Sequence, residues 1–106
     1  MKERSRTSEA LALLGLAQRA GAVVKGTEAT RNALRKGDAR LVIVVADGSE
    51  IQRGKVLPLA EAKGIPWVSF SSMSELGAAL GSGPTATVAV TRDRFAGEIR
   101  KRMGRD

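Results

Sequence analysis

The chain has 106 residues and 42% hydrophobic content, enough for one domain with one core and too little for two. It contains no cysteine and no histidine. A disulfide framework, thiolate or imidazole metal ligands and a histidine general base are therefore excluded. The net charge is +7, and it is clustered: residues 18–40 carry +4 and residues 92–106 carry +3, while residues 41–91 carry −1. Such clustering points to a polyanion partner, most commonly nucleic acid.

The elements follow in chain order. Ser8 to Ala20 reads as a helix, with Leu13, Leu14, Ala17 and Ala20 on one stripe and Gly21 as its stop. Residues 1–7 read as a flexible basic arm on a single domain spanning 1–106. Ala22 to Val24 is a short extended segment. Thr27 to Lys36 is the second helix, with Thr27 as N-cap and Gly37 just past its end. Leu41 to Ala46 is apolar and mostly β-branched, the pattern of a strand buried on both faces. Asp47-Gly48-Ser49 is a turn, and Ser49 to Lys63 is helical with an interruption expected near Pro58. Ile65 to Phe70 is the next strand. Ser72 and Glu75 match a capping box ahead of a short helix ending at Gly81. Residues 81–85 (GSGPT) form a loop, Ala86 to Val90 the last strand, and Arg92 to Met103 a basic helix. Strands alternating with helices predict an α/β layered domain with helices on both faces of a small sheet.

Catalytic patterns are missing. GSGP lacks the GK[ST] ending of a phosphate-binding Walker loop, and no GxGxxG follows a strand. Ser69, Ser71, Ser72 and Ser74 cluster without a base to activate them, so capping and turn roles are expected. Asp47 and Glu50 read as a turn residue and a first-turn acid at a helix dipole. We expect no enzymatic activity, no cofactor and no metal. The longest apolar run is too short to span a membrane, and no signal-peptide pattern opens the chain, so a cytoplasmic location is expected. The aromatics are Trp67, Phe70 and Phe95. Trp67 and Phe70 fall on opposite faces of a strand and read mainly as core, not as a base-stacking platform. RNA binding would then rely on a helix end, backbone amides and basic side chains.

The stretches LLGLAQRAGAVVKG (13–26), TEATRNALRKGDARLVIVVAD (27–47), GIPWV (64–68), ELGAALG (75–81) and TVAV (87–90) together resemble the ribosomal protein L7Ae/L30e family, and within it the small bacterial L7Ae-like proteins. The resemblance implies a three-layer α/β/α sandwich around a four-stranded mixed sheet. It implies RNA binding to kink-turns, where tandem sheared G·A pairs sit at a sharp bend. Carried over, the contact surface is Gly26, Thr27, Glu28, Ala29 and Asn32 at the second helix, with Ser82, Gly83, Pro84, Thr85 and Ala86 in the later loop. Lys25, Arg31 and Arg35 add phosphate attraction. Kink-turn binders of this family commonly read G-T-N-E here, with a lysine three residues after the Glu; this chain places Glu28, Ala29 and Asn32 at the Asn, Glu and Lys positions. The loop is small and polar, without the branched apolar residues typical of the family. The expected partners are structured RNA, including ribosomal RNA and the ribosome, for a monomeric protein. Two alternatives stand beside this reading: a structured-RNA binder without kink-turn preference, and a protein-interaction accessory of the translation machinery.

Overall fold

The computed structural model describes residues 2–103, with side chains from residue 6 onward. Its elements are α1 (Lys2–Arg19), β1 (Val23–Lys25), α2 (Thr27–Lys36), β2 (Leu41–Val44), α3 (Glu50–Ala62), β3 (Trp67–Ser69), α4 (Met73–Ala79), β4 (Thr87–Val90) and α5 (Asp93–Met103). The strands form one mixed sheet in the order β1-β4-β2-β3. Strand β4 is antiparallel to both β1 and β2, and β2 is parallel to β3.

Period-two alternation divides the core. Leu41, Ile43, Val45, Val88 and Val90 point to one face and pack with Leu14 of α1, Leu76 of α4 and Ile99 of α5. Val42, Val44 and Ala89 point to the other and pack with Ala33 and Leu34 of α2 and with Val56 and Ala60 of α3. A strand apolar at every position therefore serves two helical layers. The expected three-layer α/β/α sandwich with a four-stranded mixed sheet is what the chain forms.

Several local expectations are corrected. Helix α1 begins at Lys2, ahead of the start expected at Ser8; Met1 and residues 104–106 lie outside the described residues. Helix α3 runs unbroken through Pro58. The proline removes one helical hydrogen bond, but Val56 and Ala60 on either side of it are fully buried, and that packing holds the turn. Phe70 is core, whereas Trp67 is 36% exposed. Strand β3 is a sheet edge, and Trp67 lies near the end of α3 with its indole N–H directed at Glu61. Ser72 caps α4 by accepting from the Glu75 amide at 3.1 Å, but the Glu75 carboxylate turns to the Ser71 hydroxyl instead of completing the box.

Candidate functional site

Helix α2 opens without a side-chain cap. Its N-cap residue is Gly26, not Thr27, at φ 100° and ψ 158°. Only glycine holds that conformation readily. The Gly26 amide donates to the Thr87 carbonyl at 2.8 Å, which fastens the start of α2 to β4. The Gly26 carbonyl accepts from the Thr30 amide, beginning the helix ladder. Among the described residues the amides of Thr27, Glu28 and Ala29 have no acceptor. They form the partly positive end of a helix dipole.

Thr27 is used elsewhere. Its hydroxyl donates to the Gln52 side-chain carbonyl at 2.6 Å, tying the start of α2 to the first turn of α3. The cap expected of Thr27 is not made because Thr27 is already the first helical residue, and the N-cap position falls on Gly26, which has no side chain to accept an amide.

The loop after α4 faces this helix start. Ser82, Gly83, Pro84, Thr85 and Ala86 join Lys25, Gly26, Thr27 and Thr87 around an open groove of about 350 Å³. The loop is held by its own bonds. The Ser82 amide donates to the Gly77 carbonyl at 2.8 Å, the Thr85 amide to the Met73 carbonyl at 3.0 Å, and the Thr85 hydroxyl to the Gly83 carbonyl at 2.8 Å. Gly77 lets the loop press against α4: a methyl group there would overlap the Gly83 carbonyl. Gly83 and Pro84 stay exposed at the rim.

Eight of the thirteen residues expected from sequence therefore line one groove, although more than fifty positions separate its two halves. The other five, Glu28, Ala29, Arg31, Asn32 and Arg35, run along α2 away from it. Arg31 turns toward α3, donating to the Lys55 carbonyl, and its guanidinium lies 3.9 Å from Glu28. Arg35 donates to the Asn32 side-chain carbonyl at 2.9 Å, so part of the hydrogen-bonding capacity of Asn32 is already used. Two residues of the site were not anticipated. Thr87 reads only as a buried strand position, and Gln52 lies in another helix with no local pattern linking it to Thr27.

Among the described residues, no cluster of three or more Asp, Glu, His or Cys is placed to hold a metal ion, and no helix is long and apolar enough to cross a membrane. The site is a shallow, polar groove made of helix-end amides, a glycine-rich loop and a lysine. Its chemistry is that of an anion-accepting surface on an α/β/α sandwich.

Comparison with known proteins places this architecture. The chain belongs to the ribosomal protein L7Ae/L30e/S12e/Gadd45 family, whose profile matches residues 8–99. It is 33% identical over 87 residues to the RNA-binding protein YlxQ of Bacillus subtilis (strain 168), covering 82% of this chain and 87% of that protein. Among solved structures, it is similar to a Bacillus halodurans protein of unknown function, with a TM-score of 0.85 and 28% identity over 88% of this chain and 94% of the other. It is also similar to the Giardia lamblia 15.5kD RNA binding protein, with a TM-score of 0.77 and 29% identity over 92% and 84% of the two chains.

Proposed function

We propose that this protein binds structured RNA, without catalysis, through the groove between the start of α2 and the 82–86 loop. The observation that carries the reading is the juxtaposition of unsatisfied α2 amides with a preformed loop across that groove. Backbone amides at a helix start suit a phosphate or a base acceptor, and Gly26 leaves room for close approach. Lys25 lines the groove, and Arg35 and Lys36 are exposed further along α2, where they supply phosphate attraction. Membership of the family and the RNA-binding names of its relatives support the same reading.

The finer reading is a bent, kink-turn-like RNA, met by a monomer in the cytoplasm and including ribosomal RNA. Glu28 can accept from base amino groups, and Asn32 lies one turn along the same face. A second reading, recognition of structured RNA without preference for the bend, is favoured by one contact. Asn32 is engaged by Arg35, and Ala29 has no group to read a base.

A titration against a kink-turn RNA, the same duplex with its G·A pairs replaced, and single-stranded RNA separates these readings when run at two salt concentrations. The expected result is a preference of about tenfold for the kink-turn, or about 1.4 kcal/mol, reduced in Glu28→Ala and Asn32→Ala. Equal, salt-sensitive binding to both structured RNAs selects the second reading. Absence of binding to every RNA at low salt removes both.

A further inference from the structure

Helices α1 and α5 lie antiparallel. Arg102, near the end of α5, reaches Glu9 of α1 at 3.1 Å, while Phe95, near the start of α5, sits across from Leu16 and Ala20. At this second end the helices leave a groove of about 690 Å³, larger than the one beside α2. Its floor is apolar, formed by Leu13, Leu16, Ala20 and Phe95. Leu16 is 48% exposed beside it. An apolar strip of this kind, left open to water and bordered by charges, is a surface that a partner can cover.

The charges on the rim select the occupant. Arg19, Arg94 and Glu98 border the groove. The Glu98 carboxylate is already engaged: it accepts from Arg102 at 2.9 Å and from Lys101 at 3.3 Å. Among the described residues, neither Arg19 nor Arg94 has an ion-pair partner. The rim therefore offers two uncompensated guanidinium groups around an aliphatic floor.

We infer that the α1–α5 groove receives an amphipathic helix from another protein, with leucine-type anchors on one face and acidic residues flanking them. Such a helix covers the floor and pairs its carboxylates with Arg19 and Arg94. A second copy of this chain fits less well, because it would bring the same two arginines and a further net charge of +7 to the interface. RNA would satisfy the arginines and leave the aliphatic floor uncovered. The surface is separate from the α2 groove, so the inference stands or falls independently of RNA binding.

The test is a solution titration of the full, isotope-labelled chain, following its amide resonances. The probe is a synthetic helix with leucines at i, i+3, i+4 and i+7 flanked by glutamates. A second peptide carries lysines in place of the glutamates, and a third arm adds duplex RNA. The acidic peptide is expected to shift Leu16, Ala20 and Phe95. Its affinity should fall about tenfold or more in the Arg19→Ala/Arg94→Ala double variant and be lost in Leu16→Asp. The substituted side chains are exposed, and an unchanged amide spectrum elsewhere confirms that the variants fold. Equal binding of the lysine peptide overturns the proposal, as does failure of the acidic peptide to bind. So does displacement of these resonances by RNA, or self-association of the unliganded chain through this face.

Discussion

Thr27 and Gln52, 25 residues apart in sequence, share a 2.6 Å hydrogen bond that joins the first turns of α2 and α3. The bond is partly buried, and it holds the edge of the α2 groove against the opposite helix of its layer. Thr27→Ala and Gln52→Ala should each cost about 0.5–1.5 kcal/mol in denaturant unfolding. The double variant should cost less than the sum of the two, because the residues act as a pair. Strict additivity would mean the contact contributes nothing to stability.

Gly26 stands where no other residue is comfortable. Its φ of 100° and ψ of 158° would strain an alanine even though nothing lies within 4 Å of the added methyl. Gly26→Ala should therefore destabilise the protein by about 1–3 kcal/mol through backbone strain alone. RNA affinity should fall as well, since the α2 amides would tilt away from the groove. Calorimetry and the RNA titration check the two halves separately. Unchanged stability would contradict the backbone conformation assigned to this residue.

Gly77 positions the other half of the site from behind. A methyl group there collides with the Gly83 carbonyl, which is backbone and cannot swing aside. Gly77→Ala should cost about 1–3 kcal/mol and displace the 82–86 loop. Gly15→Ala is an informative companion: its methyl would meet the Ala79 carbonyl at 3.1 Å, and neither residue lines the groove. The first change should weaken RNA binding beyond its effect on stability, and the second should not. Equal RNA affinity in both variants would detach the loop from RNA recognition.

The parts of this structure that could be read from sequence were those with local signatures. Leu41 to Val44 is apolar at consecutive positions, and only a strand between two helical layers buries such a run. Ser72 lies three residues before Glu75, and that spacing is enough to mark the start of α4. The α2 start and the 82–86 loop were legible as a pair only through family resemblance, because nothing local joins them. What escaped depended on partners distant in sequence. Thr27 looked like a cap, but the bond from Gly26 to β4 sets the helix start one residue earlier and leaves Thr27 to reach Gln52. Trp67 looked like core because alternation does not reveal that β3 lies at a sheet edge. Pro58 looked like a break because burial of Val56 and Ala60 is a tertiary fact.

Acid should weaken the ion pairs that Glu98 makes within α5. The Arg102 hydrogen bond, and then Lys101, hold the Glu98 carboxyl below its ordinary value of 4.5. A lowered folded-state pKa stabilises the protein above the unfolded value, and this contribution is lost as pH falls through the folded value. The loss therefore begins below about pH 5 and continues past the ordinary glutamate range. Glu98 is solvent-exposed, so the effect on melting temperature should be small, about 2 °C or less. Glu98→Gln should remove that part of the acid sensitivity and leave the neutral-pH RNA affinity unchanged. An identical acid response in the variant would assign the loss to other carboxylates.

Thr30 offers a gain in stability at the site's foundation. Its side chain is completely buried in α2, and its hydroxyl has no hydrogen-bond partner among the described residues. Burying a hydroxyl without a partner costs about 1–3 kcal/mol, while valine has nearly the same shape and no such group. Valine is also as β-branched as threonine, so helix propensity hardly changes. Thr30→Val should therefore stabilise the protein by about 1 kcal/mol and raise its melting temperature by about 4–8 °C. RNA affinity should stay level, because the backbone of α2 and the open amides of its first turn do not depend on this hydroxyl. A loss of stability would mean that the hydroxyl bonds to the Gly26 carbonyl one turn back. That carbonyl already accepts the Thr30 amide at 3.0 Å. In that case the same substitution should also disturb the α2 start, and RNA binding would fall along with stability.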